Sequence, residues 1–469
     1  MNSLIRSLNE DSREKLINYY KLNVYNPIFK SDFEKPNKGY IPQDIPSKLH
    51  LINRVASIIE SIKQAISDDS KISRIDELSS LIIQYPFLKY YAYKNDAYTI
   101  LNQIWLKSSS RNLTSSVDQI FALLGCHKPL HNEGICILSI DGGGSRGLLS
   151  LHILKEIQKL CNQPIYTLFD FICGTSTGAF IASLVGLNRK TLDQCTDLYK
   201  ELSADLFERN RLIGAGKLVW SHSYYDSDVL VKALKKQFLD KSMISTSKDL
   251  DSPKVALIST VVNTPLPKPF IFRNYDFPLN SESLYPGTYD ATIWQACQAS
   301  ASAPGYFQAC QYGPYILQDG GVLMNNPAPI AVHESKLIWP GERVQCIVSL
   351  GNGRFNPFDK PSSPDTYSSL KSKLSKMAQF IADTEGAHSI LSDLLPYNYY
   401  YRLNPRLTKE FHLDEKNPDN LKIIEDDAAK YVERNAALFE KLGRRLMARR
   451  KFTSVARDAI NRYKSKFLS

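Results

Sequence analysis

The chain has 469 residues, of which 43% are hydrophobic and 23% are charged, and its formal net charge is +10. A chain of this length and composition buries enough apolar surface for one large domain and a smaller one, which excludes disorder as its dominant state. Its eight cysteines include no Cys-x-x-Cys pair and no His/Cys cluster at metal-ligand spacing, so they indicate a reduced, intracellular protein without a metal site.

Residues 1–46 are expected to form a short helix and then an irregular arm, because they hold four prolines and few periodic apolar residues. The first 23 residues mix both signs of charge and lack the apolar run of a signal peptide. No stretch of the chain approaches the roughly 18 continuous apolar residues of a membrane-spanning helix. We therefore predict an intracellular, cytoplasmic protein whose contact with membranes is peripheral.

Residues 47–130 show the pattern of helices that bury one face. Apolar residues recur at intervals of three and four, as in Leu49, Ile52, Val55, Ile58, Ile59 and Ile62. The pattern predicts an all-helical N-terminal region ahead of the part of the chain that carries the motifs.

The pattern changes at Ile135 to short apolar runs that end in glycine and lead into amphipathic helices, which is typical of an α/β fold. The sequence predicts strands at 135–140, 169–173, 255–262, 315–318 and 345–350, and helices at 148–160 and 177–187. Parallel strands joined by helices are covered on both faces. Residues 135–355 are therefore predicted to form a three-layer α/β/α sandwich with a mainly parallel central sheet.

Residues 356–469 return to a helical pattern, with helices predicted at 367–395 and 421–463. The region ends in a basic tail, since residues 441–469 hold ten Lys or Arg side chains and one acidic residue, Asp458. Such a run fits a solvated helix face, contact with anionic lipid, or contact with nucleic acid. If the tail has a partner, we expect it to contact anionic lipid and not nucleic acid.

The pentapeptide Gly174-Thr175-Ser176-Thr177-Gly178 fits the G-x-S-x-G pattern between a predicted strand and a predicted helix. In that context the serine projects above the sheet, and a glycine on each side lets strand and helix approach closely. The helix N-terminus also favours developing negative charge. Alone, the pentapeptide also fits an ordinary turn with a serine cap. Its context favours Ser176 as a nucleophile.

A run of glycines follows the first predicted strand, in Asp141-Gly-Gly-Gly-Ser-Arg-Gly147. It matches the dinucleotide-binding pattern G-x-G-x-x-G, but the next strand ends in Gly174-Thr175 rather than in an acidic residue that would bind a ribose. A P-loop is excluded because no Gly-Lys-Ser/Thr closes the run. The exposed amides of consecutive glycines fit an oxyanion hole better, together with the amide of Thr177.

A serine hydroxyl needs a base, because it is a weak nucleophile while protonated. Asp319 lies at the end of a predicted strand, and Gly320 and Gly321 after it leave room for another backbone segment. His333 would complete the chain order Ser, Asp, His of a catalytic triad. On its own, Asp-Gly-Gly is typical of a tight turn, and a lone helical histidine is typical of a packed or solvated residue.

The motifs at 141–147, 174–178 and 319–321, in this order, resemble the three signatures of patatin-like phospholipases. The similarity extends to 294–307, 325–327 and 348–351, and it covers about residues 47–440. It implies a patatin-like sandwich with its catalytic domain over 135–355. It also implies a dyad of Ser176 and Asp319 without histidine, so that His333 is a bystander. The implied oxyanion hole and supporting motif residues are Gly142, Gly143, Gly144, Thr177, Arg146, Gly147, Gly174, Gly178, Gly320 and Gly321.

The resemblance further implies an activity. Such an enzyme is a calcium-independent lipid acyl hydrolase of the phospholipase A2 or lysophospholipase type, which cleaves acyl esters of glycerophospholipids through an acyl-enzyme and needs no cofactor or metal. Two other classes of protein remain open on the residues alone. One is an esterase or protease whose triad uses His333, and the other is a catalytically silent lipid-binding protein.

Overall fold

The computed structural model describes residues 47–128, 130, 132–208, 225–249, 251–354 and 384–450. The predicted arm at 1–46 lies outside these residues. So do the part of the basic tail beyond Arg450 and the first part of the predicted helix 367–395.

Helices at the N-terminal end of the described chain pack around a core of their own. They are α1 (Lys48–Gln64), α2 (Asp68–Gln84), α3 (Leu88–Lys94), α4 (Ala97–Lys107) and α5 (Arg111–Leu124). The first two begin after Ser47 and Ser67, whose side chains accept a hydrogen bond from an amide of the first turn. Most of the predicted apolar face of α1 is buried, but Ile52 is only partly buried and Leu49 is 67% exposed in the first turn, while Leu51 is buried in its place.

The described residues form one sheet of nine strands. The strands are β1 (Ile135–Ile140), β2 (Phe171–Thr175), β3 (Lys254–Val261), β4 (Lys268–Arg273), β5 (Gly287–Thr288), β6 (Cys310–Tyr312), β7 (Tyr315–Asp319), β8 (Val344–Leu350) and β9 (Tyr400–Leu403). Along the main path their order is β5-β4-β3-β2-β1-β8-β9. Neighbouring strands pair in parallel along the part β3-β2-β1-β8-β9 of this order. Strands β4 and β7 instead pair antiparallel with β3. The predicted mainly parallel sheet is confirmed, with an antiparallel extension at one end.

Helices cover both faces of this sheet. They are α6 (Gly147–Cys161), α7 (Ile165–Leu168), α8 (Thr177–Ala182), α9 (Leu192–Glu208), α10 (Ser227–Phe238), α11 (Ile293–Ser300), α12 (Gly321–Met324), α13 (Ala328–Ile338), α14 (Glu385–Leu394), α15 (Pro418–Arg434) and α16 (Ala436–Leu446). Alternate residues of β1 point into two cores, since Leu138 and Ile140 pack with α6, α8 and α9 while Ile135 and Ile137 pack with α13. The layers are those of the predicted α/β/α sandwich.

The C-terminal region differs from its prediction in two places. Tyr400–Leu403, which lies between the two predicted helices, forms the unpredicted strand β9, so the sheet continues beyond the predicted boundary at 355. A strand of four residues is too short for its periodicity to distinguish it. The predicted helix 421–463 divides at Asn435, whose side-chain amide donates to the Tyr431 carbonyl at 2.7 Å and ends α15. Its second part, α16, ends at Leu446.

Candidate active site

Ser176 lies on a sharp turn between β2 and α8. Its backbone has φ 55° and ψ −122°, a conformation that a serine rarely adopts and that stores strain. The residues two positions before and after Ser176 must lack side chains, because a Cβ on Gly174 would collide with the carbonyl of Gly178, and a Cβ on Gly178 with that of Ile140. The turn therefore needs both glycines, and it places the serine at the carboxyl end of the parallel strands.

The Ser176 hydroxyl donates to Oδ2 of Asp319 at 2.6 Å. The two residues meet because β2 and β7 share one edge of β3. β2 pairs with residues 254–258 of β3 and β7 pairs antiparallel with residues 259–261, so the ends of the two strands face each other. The second carboxylate oxygen accepts from the Gly321 amide at 2.7 Å. A Cβ on Gly320 would collide with the backbone of β3, which explains the glycine that follows the aspartate.

Burial controls the charge of the Asp319 carboxyl, which is 6% exposed. Loss of hydration raises its pKa to about 6, while the hydrogen bonds from Ser176 and Gly321 oppose that rise. At neutral pH the carboxyl is ionised, and its pKa lies near the range that suits a general base. The group therefore has the charge and the position to accept the Ser176 proton.

The predicted oxyanion donors lie beside Ser176, but their amides are not equivalent. The Gly142 amide donates to the carbonyl of Asn325 at 3.3 Å, so this N–H is engaged within the protein and is unavailable to an oxyanion, contrary to the prediction for Gly142. The amides of Gly143, Gly144 and Thr177 donate to no acceptor within the described ranges. The candidate hole therefore consists of these three N–H groups.

Tyr199 on α9 holds the glycine loop against the Ser176 turn. Its hydroxyl donates to the Gly144 carbonyl, and the Thr177 hydroxyl donates to the same carbonyl at 3.1 Å. Burial raises the pKa of Tyr199 to about 12, so the phenol keeps its proton. Nothing in the sequence singled out Tyr199.

Two further residues of the predicted motif lie at the end of the glycine loop. A Cβ on Gly147 would collide with the Thr177 side chain. Arg146 is buried, and its Nε donates to a loop carbonyl at 3.3 Å.

His333 lies elsewhere. Its Nε2 accepts a hydrogen bond from the Leu284 amide at 3.3 Å, and its ring packs edge-on against Tyr285 with ring centres 5.4 Å apart. It makes no hydrogen bond to Ser176 or Asp319. The geometry thus brings together the two residues of the predicted dyad and does not bring the histidine of the alternative triad to them.

A cavity of about 210 Å³ opens beside Ser176 and the glycine loop. Away from these polar groups its wall is apolar and comes mainly from α8, α9, α10 and the segment after α11. The larger wall residues include Phe180, Leu202, Leu206, Leu230, Leu234 and Phe307. No histidine of the described residues lines it. An apolar cavity with a few convergent polar groups at one end fits a ligand that has an apolar chain next to its reacting atom.

Residues 138–332 match the family model described as patatin-like phospholipase, and they contain the Ser176 turn, the glycine loop and Asp319. The match assigns residues 138–332 to the patatin-like phospholipase family and confirms the resemblance seen in the sequence.

Among curated relatives, calcium-independent phospholipase A2-gamma of Oryctolagus cuniculus is 37% identical over 412 residues, which cover 88% of this chain and 52% of the relative. Phospholipase A I of Arabidopsis thaliana is 30% identical over 365 residues, which cover 67% of this chain and 28% of the relative. The chain thus spans about half the length of the phospholipase A2-gamma that it matches. Among solved structures, human GIVD cytosolic phospholipase A2 has a TM-score of 0.38 at 10% identity, over 87% of this chain and 66% of its own.

Proposed function

We propose that this protein is a calcium-independent lipid acyl hydrolase that cleaves fatty acyl esters of glycerophospholipids through a Ser176–Asp319 dyad. The observation that carries the proposal is the 2.6 Å hydrogen bond from the Ser176 hydroxyl to a buried carboxylate, beside amides that have no acceptor within the described ranges. Family membership and the names of the relatives support the same reaction class.

The reaction proceeds in two acyl transfers. Ser176 Oγ attacks the ester carbonyl carbon while Asp319 takes its proton, and the amides of Gly143, Gly144 and Thr177 stabilise the oxyanion. The tetrahedral intermediate collapses, the protonated Asp319 gives its proton to the departing alkoxide, and a lysolipid leaves. Water then attacks the acyl-enzyme with Asp319 again as base, which releases the fatty acid and restores the serine.

The apolar cavity supplies a place for the fatty acyl chain of the substrate. Leu230 and Leu234 of α10 and Phe180 of α8 lie on its wall, so an acyl chain bound there would be removed from water while its carbonyl stays beside Ser176. This arrangement favours a lipid ester over a peptide or a short polar ester.

Neither step uses a metal ion. Calcium independence is supported by the names of the relatives, which include calcium-independent phospholipase A2-gamma. Activity that is unchanged after incubation with a strong chelator is the expected result, and a requirement for added calcium would reject this part of the proposal.

Membrane contact belongs to the proposal as well. Within the part of the chain that the structure describes, no helix is both long and apolar enough to cross a membrane. We assign peripheral contact with anionic lipid to the basic C-terminal tail, most of which lies outside the described residues. In this organisation residues 47–130 form a helical region, 135–355 carry the catalytic residues, and 356–469 form a C-terminal region that adds β9 to the sheet and ends in the tail.

The decisive experiment is product analysis with vesicles of mixed phospholipids. The wild-type chain is expected to release fatty acid and lysolipid, and Ser176→Ala is expected to release neither. Lipid binding without any turnover in the wild type would instead assign the chain to the silent lipid-binding class. The same product analysis reports the acyl position and the head group that the enzyme prefers.

A further inference from the structure

A buried ion pair lies at the base of the glycine loop. Nη2 of Arg402 donates to Oδ2 of Asp141 at 2.7 Å, and the two side chains are 4% and 1% exposed. Arg402 belongs to β9, which pairs with β8, and β8 pairs with β1. Its Nη1 donates to the Ser349 hydroxyl at 3.0 Å, and Glu385 Oε1 lies 3.5 Å from Nη2. The guanidinium thus reaches across β8 to the residue that precedes the loop.

The backbone of Asp141 is also fixed. Its N–H donates to the Leu350 carbonyl at 3.0 Å, and its carbonyl accepts from Nδ2 of Asn352 at 2.6 Å. Asn352 is held in turn by the Ser150 hydroxyl, which donates to its Oδ1 at 2.9 Å. A Cβ on Gly143 would collide with Asn352, so the loop follows this anchor closely. The direction of the loop amides therefore depends on where Asp141 is held.

The other end of the loop is anchored from the same part of the chain. The amide and the hydroxyl of Ser145 donate to the Leu413 carbonyl, at 2.8 and 3.0 Å. Asn352, Arg402 and Leu413 all lie beyond residues 138–332, which match the family model. The part of the chain that follows this domain thus anchors both ends of the loop, in addition to the contacts that Tyr199 and Thr177 make with the Gly144 carbonyl.

We propose that Arg402 is a positioning residue for the acyl transfer, because its pairing with Asp141 holds the Gly143 and Gly144 amides toward the oxygen on which charge develops. This inference rests on the proposed function. Oxyanion donors stabilise a transition state only when they are already aimed at it, and a misplacement of about 1 Å costs roughly 100-fold in rate. A buried ion pair is by itself weak evidence for a role in stability.

The experiment measures kcat and KM of Arg402→Gln and Arg402→Lys with a soluble short-chain ester, together with thermal midpoints. The matched control is Arg273→Gln, because Arg273 makes an equally buried ion pair with Glu334 at 2.7 Å, on β4. Arg402→Gln leaves the charge of Asp141 without a partner and so endangers folding. The double variant Asp141→Asn/Arg402→Gln removes both charges and separates positioning from stability.

For Arg402→Gln we expect kcat to fall about 10- to 100-fold with KM changed less than about threefold, and Arg402→Lys to recover part of kcat. Arg273→Gln should lower the thermal midpoint but keep kcat per folded molecule. The double variant should recover the thermal midpoint and not kcat. The positioning role would be overturned if the double variant recovered kcat together with its thermal midpoint. It would also be overturned if the folded Arg402 variants kept the wild-type kcat. Absence of esterase activity in the wild type, or its persistence in Ser176→Ala, would instead refute the proposed function.

Discussion

The amide of Ser176 donates to the hydroxyl of Ser300 at 2.8 Å, although 124 residues separate the two in the sequence. Ser300 is fully buried at the end of α11, and its own hydroxyl proton goes to the Ile258 carbonyl in β3. One small side chain therefore ties the strained turn to the central sheet. The strained backbone conformation of Ser176 persists only because contacts of this kind hold it in place.

Replacing Ser300 with alanine is expected to lower the free energy of unfolding by about 1–3 kcal/mol, because it leaves the partly buried Ser176 N–H and the buried Ile258 carbonyl without the Ser300 hydroxyl. The loss should be accompanied by a lower kcat, since the turn is released. Urea denaturation and ester hydrolysis measure the two effects. Ser302→Ala is the control, because the Ser302 hydroxyl donates to the Gln298 carbonyl of the preceding helix α11 at 2.8 Å. A Ser300→Ala variant that is no more impaired than this control argues against the role of Ser300.

The pH dependence of the reaction should follow Asp319. Burial raises the pKa of this carboxyl to about 6, and only its ionised form accepts a proton from Ser176. The value of kcat/KM is therefore expected to rise with pH through about 6 and to level off above about 7. A soluble ester avoids changes in the charge of a vesicle surface. A rise centred near pH 4, where an unperturbed carboxyl titrates, would mean that another environment or another base controls the reaction.

The same pKa predicts how Asp319 affects stability. The folded chain binds the Asp319 proton more tightly than the unfolded chain, so the stability that this proton contributes is present below about pH 4 and is lost as pH rises through about 6. At pH 8 the buried carboxylate destabilises the fold, and Asp319→Asn should raise the free energy of unfolding by up to about 3 kcal/mol. Denaturation of both proteins at pH 8 and at pH 4.5 tests this. The advantage of the variant should shrink at the lower pH, and an advantage independent of pH would mean that ionisation is not its cause.

Leu234 should help to set the length of acyl chain that the cavity accepts. It lies on the apolar wall and is 2% exposed, so a larger side chain there occupies space that an acyl chain needs. Leu234→Trp is expected to retain hydrolysis of short-chain esters and to lose about 10-fold or more in kcat/KM for long-chain esters. A series of esters of increasing chain length provides the measurement. A uniform loss over all chain lengths would show that the variant damages the fold rather than the acyl site.

The sequence predicted those parts of the fold and of the site that are encoded locally. The turn at Ser176, the glycine loop and the strand that ends at Asp319 each combine an apolar run with glycines, and all are present. Tyr199, Ser300 and Arg402 could not be predicted in this way. Their partners lie 55, 124 and 261 residues away, so no local period identifies them. A polar residue on a helix or an edge strand has the same sequence signal whether it faces water or a distant loop.

The most direct test of the central claim is covalent labelling of the nucleophile with an active-site-directed phosphonate, followed by peptide mapping. Ser176 is expected to carry the label. Labelling should proceed at the wild-type rate in His333→Ala and about 100- to 10,000-fold more slowly in Asp319→Asn, since that variant lacks the base. A label on another residue, or wild-type labelling of Ser176 in Asp319→Asn, would contradict the dyad.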